Sequence, residues 1–162
     1  YMAIHPGKKL DFMGNEFAQL REWDESREQD WPVLKYPNHD SFRVFRKALN
    51  EAYLQNDGFW SREYDPAAFL WLDCAHPEKN ACAIWRQGSE GAVLAAFNFG
   101  DTELTDYELT LPQKGKLTLL LHTDWTDFGG GTAKPVKAKA LPAADTLTLN
   151  LPPFSGVLYA LI

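Results

Sequence analysis

Residues 8–19 read KKLDFMGNEFAQ, and this stretch decides the fold expected of the chain. A short, mostly apolar run, Leu10–Met13, is followed by Gly14, which lets the backbone turn. Asn15 and Glu16 come next, and both side chains can make directed hydrogen bonds. This order predicts a buried strand that ends at a functional loop, with the polar pair facing beyond the strand end.

The stretch from Phe12 to Gln19, followed by Arg21-Glu22-Trp23, resembles the last barrel strand of bacterial 1,4-α-glucan branching enzymes, members of the α-amylase superfamily. The first motif is specific, and looser matches follow it in the family's order: Leu49-Asn50, Tyr53, Phe69, Trp71, Thr123-Asp124 and Leu151-Pro152-Pro153. The resemblance therefore covers essentially the whole chain.

The hydrophobic periodicity changes once along the chain. Apolar residues at helical spacing predict one helix, Phe42–Gln55, capped by Asn38, Asp40 or Ser41 and ended by the turn after Gln55. Turn residues then separate seven predicted strands: Phe69–Cys74, Ala81–Arg86, Ala92–Phe99, Thr105–Leu111, Lys116–His122, Thr146–Leu151 and Gly156–Ile162. Many short strands at close spacing indicate an antiparallel sandwich or barrel.

The predicted fold class is mostly β: a C-terminal antiparallel β-sandwich preceded by the last strand-loop-helix unit of a (β/α)8 barrel. Such a barrel needs eight units and typically about 250 residues, so the resemblance implies that seven units are missing. Residues 1–58 are then the remnant of the catalytic barrel, and residues 59–162 form the all-β domain. A start at Tyr1 instead of Met also suggests a fragment.

Composition excludes several classes of protein. Hydrophobic residues make up 45% of the 162 residues, which excludes disorder, and a net charge of −6 argues against a nucleic-acid partner. No apolar run is long enough to span a membrane, and no leader peptide is recognisable.

A four-residue turn at Pro77–Asn80 would point Cys74 and Cys82 to opposite faces of a hairpin, whereas an odd-length loop would change that register. Two free thiols are favoured, which suits a cytoplasmic location.

No catalytic residue is expected in this chain. The resemblance implies two catalytic carboxylates about 5 Å apart and a third that holds substrate, all on earlier barrel strands. His39-Asp40 is the only adjacent His-Asp pair, and a helix cap is its ordinary role. Asp124 and Asp127 lack the spacing of a calcium loop and indicate turns instead. The histidines and cysteines show no zinc spacing, and the resemblance implies neither a metal nor an organic cofactor.

Five residues are candidates for substrate binding: Asn15, Glu16, Arg21, Trp23 and Trp125. Asn15 and Glu16 would line the floor of a cleft, or Glu16 would be a buried hydrogen-bond anchor for the barrel end. Arg21 and Trp23 would form an acceptor-glucan surface, because sugar rings stack on aromatic side chains, or would only hold the loop. Trp125 lies in a Gly-rich segment and is the best exposed candidate, whereas Trp71 and Trp85 are expected in the core or in inter-domain contacts.

Three residues depart from the pattern of the family, and one of them is Leu20, which stands where a small residue is usual. Asp11 stands where an apolar strand residue is expected and would need a partner in a closed barrel. His122 stands where an asparagine is expected before Thr123-Asp124.

The resemblance implies that the parent enzyme transfers α-1,4-glucan segments to 6-hydroxyls and makes the α-1,6 branches of glycogen. Its partners would be an α-glucan such as glycogen or amylose and the missing barrel of the same chain. The part present here would be non-catalytic and would support the barrel. Three alternatives stay open: a stand-alone glucan-binding β-sandwich module, a purely structural β domain that binds no sugar, and a debranching or trehalose-forming relative within the superfamily, although Gly14–Phe17 and the Trp after it favour branching.

Overall fold

The computed structural model describes residues 1–136, 140–143 and 145–161. One α-helix, α1 (Pro37–Gln55), precedes the strands. The strands are β1 (Phe69–Asp73), β2 (Ala81–Gln87), β3 (Ala92–Asn98), β4 (Leu104–Thr110), β5 (Gly115–His122), β6 (Ala140–Ala143), β7 (Thr146–Leu151) and β8 (Ser155–Leu161). Short 3₁₀ turns fill the connections, among them Asn15–Phe17 and Trp31–Lys35.

The strands form two antiparallel sheets. The larger has the order β1-β2-β3-β8-β5-β6, and the smaller pairs β4 with β7. One core lies between the sheets and includes Trp85, Leu94 and Leu149. A second core lies on the other face of the larger sheet, where Val93 and residues of α1 pack together. The central strand β3 is buried on both faces, which explains its unbroken apolar run.

All seven predicted strands form, with ends that differ by at most one residue, although Ile162 lies outside the described residues. Strand β6 was not predicted, and its Pro142 is a residue that is disfavoured inside a sheet. Here Pro142 lies on the edge strand of the larger sheet, the position where proline is tolerated.

Helix α1 begins five residues before the predicted Phe42. Pro37 occupies its first turn, and Tyr36 caps it without a side-chain hydrogen bond. Proline favours this position because its fixed φ suits a helix and its missing N–H needs no partner there. The predicted cap at Asn38, Asp40 or Ser41 is therefore wrong.

The predicted strand at Leu10–Met13 does not form. Within residues 1–68, all of which the structure describes, no strand occurs. Leu10, Phe12 and Met13 are 75%, 47% and 50% exposed. A strand needs hydrogen-bonded neighbours, and none is available to this segment in the described chain.

Both cysteines are free, as expected, with Cys74 exposed and Cys82 half-buried. The pairing of β1 with β2 differs from the pairing that a four-residue turn at Pro77–Asn80 would give. Asp73 pairs with Ala83 after an irregularity in β1, and a 3₁₀ turn at Pro77–Lys79 makes the connection longer. None of the helices in the described part of the chain is long and apolar enough to cross a membrane.

Candidate functional site

The loop from Gly14 to Trp31 carries four of the five candidate residues. Gly14 has φ 89° and starts a 3₁₀ turn, Asn15–Phe17. The Glu16 carboxylate accepts the Gly14 N–H at 3.0 Å, so its first role is to close its own turn. Phe17 is fully buried, with its ring centroid 4.8 Å from that of Trp31. The loop is thus anchored by Phe17, while Asn15 beside it remains exposed.

Arg21 closes this loop on itself. Its guanidinium donates Nε and Nη2 to the two carboxylate oxygens of Asp30, both at 3.1 Å, and Nη2 also donates to the Glu28 carbonyl at 2.8 Å. These bonds to Asp30 raise the pKa of Arg21. Gln19 adds a second closure, since its amide bonds the Arg21 carbonyl and the Asp30 N–H at 2.9 and 2.8 Å. The cation therefore orders the loop.

Trp23 is 44% exposed and lies edge-on to Phe12, with 5.6 Å between the ring centroids. The neighbouring Asp24 is bound by Ser26 and Arg27, and these hydrogen bonds lower the pKa of its carboxyl group. Trp23 and Phe12 thus form an exposed aromatic pair at the surface of an internally bonded loop. Such a pair can receive the C–H face of a sugar ring.

Trp125 is not the exposed residue that was expected, because only 5% of its surface is accessible. Phe128 lies on it at 5.8 Å between centroids, and Lys134 Nζ lies 5.1 Å from its ring centre. The chain folds back over the indole because Asp124 accepts the Thr132 hydroxyl at 2.6 Å. Asp124 is therefore a turn-forming aspartate, as predicted, and a sugar could reach Trp125 only after this turn rearranged.

The other tryptophans divide between core and surface. Trp85 is 3% exposed, as predicted for a core residue, whereas Trp71 on the edge strand β1 remains 37% exposed. Trp60 is 45% exposed and directly follows the 3₁₀ turn Asp57–Phe59 in the connection after α1. From the sequence, Trp60 suggested starch binding together with Trp71 and Trp85, but it was not among the five candidates, because the groups around it come from a hairpin about thirty positions later.

Asp11, His39 and Asp40 have structural contacts. Arg46 forms an ion pair with Asp11, so Asp11 has the partner it needed. His39 Nδ1 lies 2.9 Å from the Phe17 carbonyl, and Asp40 accepts from Arg43 Nη2 at 2.7 Å. Among the described residues, no group of three or more His, Cys, Asp or Glu side chains could hold a metal ion.

Comparison with known proteins gives one family match. Residues 71–162 match the family described as alpha amylase, C-terminal all-beta domain. That range spans more than half of the chain and contains seven of the eight strands entirely.

Curated relatives match over 97% of this chain, from the N-terminal loop onward. They include proteins named 1,4-alpha-glucan branching enzyme GlgB from Mycobacterium ulcerans, Nocardia farcinica and Thiobacillus denitrificans, at 38%, 35% and 32% identity. The chain spans 23%, 22% and 22% of their respective lengths, about a quarter of each relative.

A crystal structure of a MutB mutant in complex with glucose aligns with 75% of this chain and 18% of its own, at 16% identity and a TM-score of 0.46. That likeness is too weak to carry an argument.

Proposed function

The chain belongs to the family of alpha-amylase C-terminal all-beta domains, and from this premise we propose that it is the C-terminal part of a 1,4-alpha-glucan branching enzyme. One observation carries the proposal. Relatives with that name match 97% of the chain, including the loop and helix before the all-beta domain. A match limited to the β domain would have favoured any member of the superfamily.

The parent enzyme would cleave an α-1,4 bond, hold the released segment as a covalent glycosyl intermediate and transfer it to a 6-hydroxyl. The retaining pair of carboxylates would lie in the rest of the parent, on the barrel. This chain would be the non-catalytic partner of that barrel, and α-glucan such as glycogen or amylose would be the substrate. A cytoplasmic location is supported by the two free cysteines, one of them exposed.

Within the chain, the loop from Gly14 to Trp31 would face the glucan. Asn15 and the Trp23–Phe12 pair are the groups available to a ligand there. Glu16 and Arg21 act behind them, because their hydrogen bonds hold the loop in shape. Trp125 would contribute through packing.

The test compares the chain with the longer protein that contains it. Each is incubated with amylose, and new α-1,6 linkages are counted by debranching and chain-length analysis. The longer protein should form branches and the chain alone should form none. Branches made by the isolated chain would contradict its non-catalytic role, and a longer protein without branching activity would contradict the proposed reaction.

A stand-alone glucan-binding module is the second candidate, and the exposed Trp23–Phe12 pair favours it. This function requires that the isolated chain binds maltooligosaccharides through the loop. The affinity should then fall on Trp23→Ala and stay unchanged on Tyr36→Ala, which removes another exposed aromatic residue. The purely structural alternative requires no binding at all.

A further inference from the structure

A cleft lined by both polar and apolar groups opens where the end of α1 meets the hairpin between β2 and β3. Its volume is about 570 Å³. That size lies within the range of small-ligand sites, about 300–1,000 Å³. The lining comes from three parts of the chain: Gln55, Asn56, Asp57, Gly58, Trp60 and Ser61; Ser89, Glu90, Gly91 and Ala92; and Ala160 and Leu161. The cleft lies outside the loop described above.

The cleft has a fixed frame. Asp57 accepts the Ser61 hydroxyl at 3.0 Å and the Glu90 N–H at 2.8 Å, and the Ser61 oxygen accepts the Ser89 N–H at 3.0 Å. Burial opposes ionisation of Asp57, but these hydrogen bonds outweigh it and lower the pKa of the carboxyl group. The hairpin is therefore bound to the end of the helix, and the groups of the cleft are held in place before any ligand arrives.

Trp60 presents an aromatic ring to this cleft. It is 45% exposed, and its Nε1–H donates to the Tyr53 carbonyl at 3.1 Å, which fixes the ring. The side chains of Gln55, Ser89 and Glu90 make no hydrogen bond to the described part of the chain, although their positions line the cleft. An ordered indole beside unpaired hydroxyl, amide and carboxylate groups is the composition expected for a ligand that is flat, apolar on one face and rich in hydroxyls.

The charged residues that line the cleft indicate which class of ligand it can bind. No Lys, Arg or His lines it, while Asp57 and Glu90 supply two carboxylates. Phosphates, nucleic acids and other anions are therefore disfavoured, because no cation compensates their charge. A neutral sugar fits: its C–H face covers the indole and its hydroxyls donate to Glu90 and bond Gln55 and Ser89.

We propose that this cleft is a second glucan site of the chain, which binds an α-1,4-linked segment with Trp60 as the stacking platform. The choice of an α-glucan among neutral sugars rests on the proposed function. The site itself rests on the frame around Asp57, on the exposed ring and on the unpaired polar groups. Such a site would hold a long substrate away from the loop that carries Trp23.

The test is titration of the isotope-labelled chain with maltoheptaose, followed through backbone amide and indole N–H shifts. Saturable shifts should appear at Trp60 and at Ser89–Gly91. Trp60→Ala should weaken binding about tenfold or more, since a stacked aromatic contact and its buried area are lost. Trp60→Phe should weaken it less, and Tyr64→Ala should leave it unchanged, because Tyr64 is an exposed aromatic residue outside the cleft.

Cellohexaose is the matched ligand, and it should bind at least about tenfold more weakly if the cleft selects the helical curvature of an α-1,4 chain. The proposed site would be wrong if the chemical-shift changes were confined to other surfaces. It would also be wrong if Trp60→Ala bound maltoheptaose as tightly as the unmodified chain does. If Trp60→Ala does not fold, the proposal is tested by the map of chemical-shift changes in the unmodified chain and by the affinity of Trp60→Phe for maltoheptaose. Equal binding of both sugars would overturn the α-glucan assignment alone. Branching by the longer protein is measured separately, so failure of the cleft and failure of the proposed function give different results.

Discussion

Arg86 should be the most costly polar residue to remove from this fold. Its side chain is 1% exposed and forms an ion pair with Glu63, which is 13% exposed, at 2.9 Å. It also donates to the Ile4 carbonyl at 2.9 Å. Glu63 in turn binds the Gly7 N–H and Lys9 Nζ, the latter at 3.1 Å. One buried cation thus ties the N-terminal segment to the larger sheet.

Arg86→Met keeps the length of the side chain and removes its charge. Breaking a buried ion pair from one side costs roughly 3–5 kcal/mol, because the remaining charge loses its partner. Glu63 retains Lys9 and the Gly7 N–H, so we expect the lower end, about 3 kcal/mol. For a chain of this size that loss lowers Tm by roughly 6–12 °C. Urea unfolding at pH 7, followed by tryptophan fluorescence and circular dichroism, measures it.

The matched control is a double-mutant cycle with Glu63→Gln. Once Arg86 is gone, the second change should cost at least about 1 kcal/mol less than it does alone, since the ion pair between Glu63 and Arg86 is already lost. If Arg86→Met lowered the free energy of unfolding by less than about 1 kcal/mol, or if the two changes were strictly additive, the stabilising role of the Arg86–Glu63 ion pair would be refuted.

The same cycle predicts a pH dependence. Burial works to raise the pKa of Glu63, but the bonds from Arg86, Lys9 and Gly7 outweigh it and hold this pKa below its usual value. A lowered folded pKa means that the contribution is complete above the unfolded value, near pH 4.3, and is lost as the pH falls through the folded pKa. Urea unfolding between pH 6 and 3 should show a smaller acid loss in Glu63→Gln than in the unmodified chain.

Three substitutions test the turns and the strand end beside them. His122 Nδ1 accepts the Asp124 N–H at 3.1 Å, and burial lowers the pKa of His122 although Asp124 opposes this, so stability should fall as the pH drops below about 6.5. His122→Asn keeps an acceptor, should stay within about 1 kcal/mol at pH 7 and should flatten thermal stability between pH 7 and 5. Gly88→Ala should cost about 1–3 kcal/mol in urea unfolding, because its Cβ would lie 2.6 Å from the Asp57 oxygens. Gly131→Ala, whose Cβ would meet no atom closer than 3.8 Å, should stay within about 0.5 kcal/mol.

The β-sandwich could be predicted because turn-forming residues separate its strands in the sequence. Residues 107–111 alternate cleanly, and Tyr107 and Leu109 indeed point into the core. Strand β3 is instead a nearly continuous apolar run between turn residues, as is typical of a strand covered on both faces. Strand ends and the proline-containing β6 depend on tertiary pairing, and local propensity does not encode them, whereas the start of α1 at Pro37 is a local signal that the predicted cap overlooked.

The candidate sites were less predictable, because exposure is a property of the folded chain. Trp125 follows an aspartate and precedes three glycines, which is the composition of an exposed loop. Asp124 folds that loop back over the ring, and no local signal announces a hydrogen bond eight positions away. The cleft at Trp60 could not be predicted from the sequence either, because it is formed by residues that are far apart in the chain. Its frame joins Asp57 to Glu90, two residues that only the packing of α1 on the sheet brings together.

The failure of Leu10–Met13 to form a strand is itself informative. Its motif is the most specific in the chain, yet its apolar side chains lie at the surface and its backbone has no strand beside it. A sequence selected for a buried strand remains apolar only if something buries it. The all-beta domain does not, because its larger sheet is already covered by α1 and the smaller sheet. The exposed segment therefore argues for the barrel of the proposed parent as its natural neighbour, and the longer protein should protect the amides of residues 10–13 from hydrogen exchange while the isolated chain leaves them open.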